Sequence, residues 1–305
     1  MPTITRRSRF KREPTGKTLN LVRRDQRLAV LRSIADYGML TTSLARALHP
    51  DYSQDGLFRF LEDGYHETSM HGGPYLDRLK FLGESLYVEM IHTLTKYGTQ
   101  AVIDSGYSVG SIIGGGAWKV HELQLIGIVA SIEIACKANG LRFISQREIL
   151  AKAPQQTQDS KDPLQMRFTI KIKGDDRQQK LNPDALFGIG YLDGFIFYLL
   201  EHERSRKTML DFQKKIERYK AMYAQQVYKT HFGLPNCVSL FVTPDEKYMT
   251  RMIERATDAN LLNPCLFQCQ PILADAHRPP KPMPSILIAP WTRASGIPFS
   301  LLEGK

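Results

Sequence analysis

Apolar residues fall at helical spacing just beyond a basic N-terminal stretch. Leu28, Leu31 and Ile34 predict a helix from about Arg24 to Tyr37, stopped by Gly38. Thr41 and Thr42 can cap a second, short helix through Ser43–Leu48 that ends before Pro50. Helix, glycine-containing turn and capped helix form the front of a helix-turn-helix. Two segments compete to supply the recognition helix, Leu57–Leu61 and Tyr75–Leu82. The second is preferred, because Gly83 can end it and Leu86-Tyr87-Val88 can begin the strand of a wing. Thr95 is set to cap a closing helix.

Residues 106–116 are rich in glycine and serine and read as a linker. From Lys119 to Asn139 the apolar residues lie almost all round, so this long helix should be largely buried, and His121 near its start reads as a packing or capping residue. The pattern then turns to β: Met166–Ile172, Asp184–Ile189 and Phe195–Glu201 predict three short strands, the last two joined as a hairpin through Asp193-Gly194. A helix over Thr208–Gln225, a strand over Val238–Val242, a helix over Lys247–Asp258 and a strand near Leu266–Leu273 follow. This order implies a mixed sheet flanked by helices, an α/β (α+β) chain. The expected division is a basic arm over 1–20, a winged helix-turn-helix DNA-binding domain over 21–105, a linker over 106–118 and a second domain over 119–305. The tail from Pro279, proline-rich and then apolar around Trp291 and Phe299, either packs on that sheet or meets a partner.

Composition narrows the partners. With 42% apolar and 24% charged residues the chain is of ordinary globular type. No apolar run approaches the roughly 18–20 residues needed to cross a bilayer, and the N-terminus lacks an apolar signal core, so a cytoplasmic protein without membrane insertion is expected. A net charge of +10 favours a polyanion, and nucleic acid is the usual one. Arg6, Arg7, Arg9, Lys11 and Arg12 form an arm with little to bury, expected to stay disordered until it meets phosphate; a solubilising tail is the plainer reading. Arg78, Lys80 and Lys96 join them as candidate DNA contacts. The four cysteines lack the paired spacing of a zinc site and read as small buried hydrophobes.

The chemistry concentrates between Asn182 and Tyr219. Asp184 begins one predicted strand and Glu201 ends the next, so an antiparallel hairpin sets them side by side although 17 residues separate them. Glu203 shares the parity of Glu201 and projects to the same face, whereas His202 should point away. Converging carboxylates suit Mg²⁺ or Mn²⁺, hard cations that prefer oxygen and keep positions open for water and phosphate. Lys215, with Lys214 as its alternative, arrives from the following helix and could orient water or offset charge at phosphorus; Tyr219 lies one turn further on and could contact substrate. The plainer reading pairs Glu201 with Arg204 or Arg206 at the surface.

The chain resembles the replication-relaxation family and its relatives, the MOBC class of plasmid and integrative-element relaxases. The likeness runs from about Arg24 to Leu273. It rests on Arg78-Leu79-Lys80-Phe81-Leu82, Leu94-Thr95-Lys96-Tyr97-Gly98, His121, Pro183-Asp184, Leu200-Glu201-His202-Glu203, Lys215-Ile216 with Tyr219, and Ser239-Leu240-Phe241-Val242-Thr243-Pro244. It implies a winged helix joined to a restriction-endonuclease-like domain of the PD-(D/E)XK type. Asp184, Glu201 and Glu203 would be metal ligands, and Lys215 and Tyr219 would join them as catalytic residues. Glu203 stands where that pattern normally has lysine, which implies either a lysine migrated to Lys215 or a dead nuclease kept for DNA binding. No two of the eight histidines are separated by one residue, so the His-hydrophobe-His metal site of better-known relaxases is not expected.

The expected function is strand-specific, metal-dependent DNA nicking at an origin of transfer or replication of a mobile element, on duplex or single strand, alongside relaxosome, coupling or replication proteins. The alternatives are a non-catalytic DNA-binding accessory in replication or mobilisation and, last, a restriction-like enzyme making double-strand breaks.

Overall fold

The computed structural model describes residues 7–21, 25–79, 89–107, 109, 120–159, 167–172, 178–204, 208–270 and 278–305. Arg6, Lys80, Arg206, the expected wing strand Leu86–Val88 and most of the expected linker lie outside them. The chain is α/β, with helices and mixed sheets, and divides into two compact units, one from Met1–Ala130 with Ala274–Pro282 and one from Ser131–Leu273 with Met283–Lys305. No helix among the described residues is long and apolar enough to cross a membrane.

The first unit runs β1 (Thr18–Leu19), α1 (Asp25–Tyr37), β2 (Leu40–Thr41), α2 (Thr42–Leu48), α3 (Gln54–His66), β3 (Thr68–Ser69), β4 (Leu76–Leu79), β5 (Ile91–Leu94) and α4 (Lys96–Asp104). Side-chain caps set the helix starts. Thr41 accepts from the Leu44 amide, Ser53 from Gly56, and Thr95 from Tyr97 and Gly98. Val30, Leu31 and Ile34 of α1, Leu44 of α2 and Phe60 of α3 are buried, and β2, β5 and β4 form an antiparallel sheet in that order.

Two expectations change here. Leu76–Leu79, within the preferred recognition helix, is a strand. Leu76 and Leu79 fit a helical spacing as well as a strand, and pairing with Ile91–Leu94 decides the matter by satisfying both backbones. The helix after the turn is α3, with Leu57, Phe60 and Leu61 buried on one face. The arm is not loose either. Thr18–Leu19 pairs in parallel with Thr68–Ser69, and the arm's arginines find partners, described below.

α5 (Val120–Ala138) spans the division, which falls between Ala130 and Ser131. The second unit continues with β6 (Arg142–Ile144), α6 (Gln146–Leu150), α7 (Gln155–Gln158), β7 (Phe168–Lys171), β8 (Gln178–Leu181), β9 (Ala185–Tyr191), β10 (Gly194–His202), α8 (Met209–Ala224), α9 (Val227–Phe232), β11 (Val238–Thr243), α10 (Glu246–Asp258), β12 (Cys265–Cys269), α11 (Ser285–Ile288), β13 (Trp291–Arg293) and β14 (Pro298–Phe299). Seven strands form one sheet in the order β14-β13-β12-β11-β10-β9-β6. Within it β10, β11 and β12 run parallel and the other pairings are antiparallel.

Phe212, Ile216 and Tyr219 of α8 and Tyr248 and Met252 of α10 pack with Phe241 and Phe267 of the sheet in one core. α8 starts at a capping box: the Thr208 hydroxyl accepts from the Asp211 amide, and the Asp211 carboxylate accepts from Thr208. Trp291 and Phe299, left open by the sequence, sit in the strands that extend the sheet beyond β12. Cys136, Cys237 and Cys265 are buried and free, as expected of small hydrophobes; Cys269 is half-buried.

Candidate functional site

β10 is a nine-residue strand whose C-terminal half is fully buried, so Glu201 and Glu203 are drawn under cover with the strand that carries them. Leu200 pairs with Ala185, and the Asp184 amide donates to the Leu200 carbonyl at 2.9 Å. Asp184 therefore stands beside the end of β10, and its Oδ2 accepts the His202 amide at 2.8 Å. On the other side the Glu203 amide donates to the Val242 carbonyl of β11 at 2.7 Å, which keeps the chain extended past His202.

α8 closes the site. Lys215 Nζ lies 2.5 Å from Glu201 Oε2 and also contacts Glu203 Oε1, while the Tyr219 hydroxyl donates to Glu201 Oε1 at 2.6 Å. Lys214, the alternative, is exposed. Glu201 and Glu203 are each 2% exposed, and among the described residues their ion pairing is internal, with Lys215.

Burial pushes the Glu201 carboxyl up to about 7; the Lys215 ammonium opposes that rise, and Asp184 and Glu203 reinforce it. Burial would lower Lys215, but the two glutamates outweigh it and hold the ammonium charged, above its usual range. The Tyr219 hydroxyl is pushed far up by burial and then by the charge of Glu201. Tyr219 is fully buried, and its hydroxyl serves to position Glu201.

Whether these residues fit a divalent cation can be judged from the geometry. Among the described residues no three His, Cys, Asp or Glu side chains gather as a ready metal cage. Glu201 and Glu203 nonetheless meet at a single cation, the ammonium of Lys215, so one point is already shared by two hard oxygen donors. Tyr248, at the first turn of α10, lies close enough to feel the charges of Glu203 and Lys215; its buried hydroxyl has no hydrogen-bond partner among the described residues. Of the expected metal ligands, Asp184 accepts the His202 amide, and Glu201 and Glu203 are bridged by Lys215. Sequence reasoning missed Tyr248. Its only trace was Asp245, which caps α10 by accepting the Tyr248 amide and so fixes that first turn.

Six of the eight candidate DNA contacts are described, all in the first unit, and the four arginines among them are engaged. Arg7 pairs with Glu67 at 2.9 Å and with Asp63 at 3.5 Å. Arg12 donates to the Tyr65 and Leu76 carbonyls and to Asp77, and Arg78 donates to the Arg9 carbonyl. The guanidinium groups of Arg12 and Arg78 lie 4.4 and 4.3 Å from the Tyr65 ring centre. Burial, with Arg9 and Arg12 nearby, lowers Arg78 to about 10. Lys11 is exposed, as is Lys96, whose ammonium lies 4.9 Å from the Tyr97 ring.

Comparison of the chain with models of known protein families, with curated proteins and with solved structures found no match. Its function has to be read from its own geometry.

Proposed function

We propose that the chain is a metal-dependent DNA nickase of the relaxase type, acting at an origin-like site of a mobile element. The observation that carries this reading is the Glu201–Lys215–Glu203 bridge at the end of β10, with Asp184 beside it. Further support comes from the order β6, β9, β10, α8, β11, three antiparallel strands followed by a helix and a parallel strand, which accords with a PD-(D/E)XK-type core. In the first unit, α2, turn, α3 and the β4–β5 hairpin accord with a winged helix-turn-helix whose reading helix is α3.

When bound, Mg²⁺ or Mn²⁺ would polarise the scissile phosphate and acidify a water molecule. Glu201 and Glu203 would hold it, with Asp184 beside them. Tyr219 fixes the rotamer of Glu201. The Lys215 ammonium offsets charge building on the phosphorus oxygens. Water is the nucleophile, since the Tyr219 hydroxyl is sealed in the core.

The test is a supercoiled plasmid carrying the element's origin, incubated with protein and Mg²⁺ or Mn²⁺. Nicked circles are expected, and they should vanish with Asp184→Ala and Glu201→Ala while DNA retention in a gel-shift assay persists. Binding without nicking under either metal would favour the accessory reading, to which the lysine locked between the two acids lends some weight. Linear product would favour double-strand cleavage.

A further inference from the structure

We propose that the outer face of the β7–β8 ribbon, in the second unit, is a contact surface for duplex DNA, with Arg167, Lys171 and Lys180 neutralising backbone phosphates. This rests on DNA as the substrate proposed above, and it holds whether or not a strand is cut.

The two faces of the ribbon differ. Phe168, Ile170 and Leu181 are buried in the core that also holds Ile216 and Phe232. Alternation along each strand then sends Arg167, Thr169 and Lys171, and across from them Gln178 and Lys180, to the opposite face, and all five are exposed. Lys180 pairs with Thr169, so it stands diagonally between Arg167 and Lys171, roughly 7–8 Å from each by the spacing of cross-strand neighbours. Among the described residues the ribbon carries no Asp or Glu, and none of these three cations is held in an ion pair. Like charges set this close repel one another, and a polyanion relieves that repulsion. The face is also fixed in place. Gln225, the C-cap of α8, accepts the Lys171 amide at 3.3 Å and donates to the Lys171 carbonyl at 2.5 Å, which ties β7 to the helix.

The residues between the cations say which polyanion fits. Thr169 and Gln178 are small or polar, and the ribbon's described outer face presents no aromatic ring on which unpaired bases could stack. A fixed row of cations without stacking rings suits the repeating phosphates of a duplex. In the first unit, by contrast, Arg7, Arg12 and Arg78 are engaged by protein groups.

The experiment is binding of the full chain to a fluorescently labelled DNA duplex, followed by anisotropy over a series of salt concentrations without divalent metal. Replacing all three cations (Arg167→Gln, Lys171→Gln and Lys180→Gln) should leave the thermal midpoint in place, because the side chains are exposed. It should weaken binding about tenfold or more at low salt and reduce the slope of log affinity against log salt by about 2–3. Lys180→Gln alone should remove about 1 from the slope, and it decides the matter should the combined variant fail to fold. Wild type and variants with equal affinity and slope overturn the ribbon contact and leave the nickase reading standing. Polyglutamate that competes as well as unlabelled duplex at equal charge would assign the face to an acidic protein and overturn it too. A wild type that binds no duplex even at low salt overturns the contact and the nickase reading together.

Discussion

At the scale of single residues, the site is a problem of buried charge. Three ionisable groups, those of Glu201, Glu203 and Lys215, lie nearly out of reach of water, and Tyr219 supplies a neutral donor to the Glu201 oxygen that Lys215 does not touch. Removing a donor from a buried carboxylate leaves part of its desolvation cost unmet. Tyr219→Phe should therefore lower stability by about 1.5–3 kcal/mol, measured by urea denaturation, with no cavity to blame. An unchanged midpoint would mean that water replaces the hydroxyl. The acids themselves were legible in the sequence, because strand parity sends Glu201 and Glu203 to one face. Tyr248 was not, since nothing in a capped first turn says which neighbouring helix it will meet.

At the scale of elements, α8 is the lever of the site, because it carries both Lys215 and Tyr219. Its ends could be read directly: Thr208 and Asp211 spell a capping box before the apolar run, and the helix begins at the next residue, Met209. Thr208→Ala should destabilise the protein by about 1 kcal/mol, seen as a lower denaturation midpoint, with fraying at the end of α8 that precedes Lys215. β9 and β10 were also readable, as two apolar runs joined through Asp193-Gly194. The strand Leu76–Leu79 was misread, because four residues are too few to separate a period of 3.6 from a period of 2. β13 and β14 escaped notice for a different reason. They are short, follow a proline-rich stretch, and gain their identity from the open edge of β12.

At the scale of the molecule, the net charge of +10 overstates what is available to a phosphate backbone. Arg7 is tied to Glu67, and Arg12 to backbone carbonyls and Asp77, so these cations brace the first unit. If DNA binds this surface, Lys11→Ala should reduce the slope of log affinity against log salt by about 1. Arg7→Ala should leave the slope alone and instead lower thermal stability. The same unit should be sensitive to acid. Burial, followed by the charge of Arg78, depresses His92 to about 3 and His66 to about 4, against 6.5 in the unfolded chain. Below about pH 6.5 the unfolded state therefore takes up protons that the folded state refuses, and stability falls progressively towards pH 4 and below. Thermal midpoints measured between pH 7 and pH 4 should decline, and His92→Gln, which can keep the bond to Thr42, should flatten that decline.

The borders of the seven-stranded sheet carry a consequence of their own. One border is three residues long and the other two, and the latter begins with Pro298, which has no amide hydrogen to donate. A foreign strand arriving at either rim would find too few free backbone groups to anchor it. Short rims of this kind work against growth of the sheet from molecule to molecule, the usual first step towards fibrils.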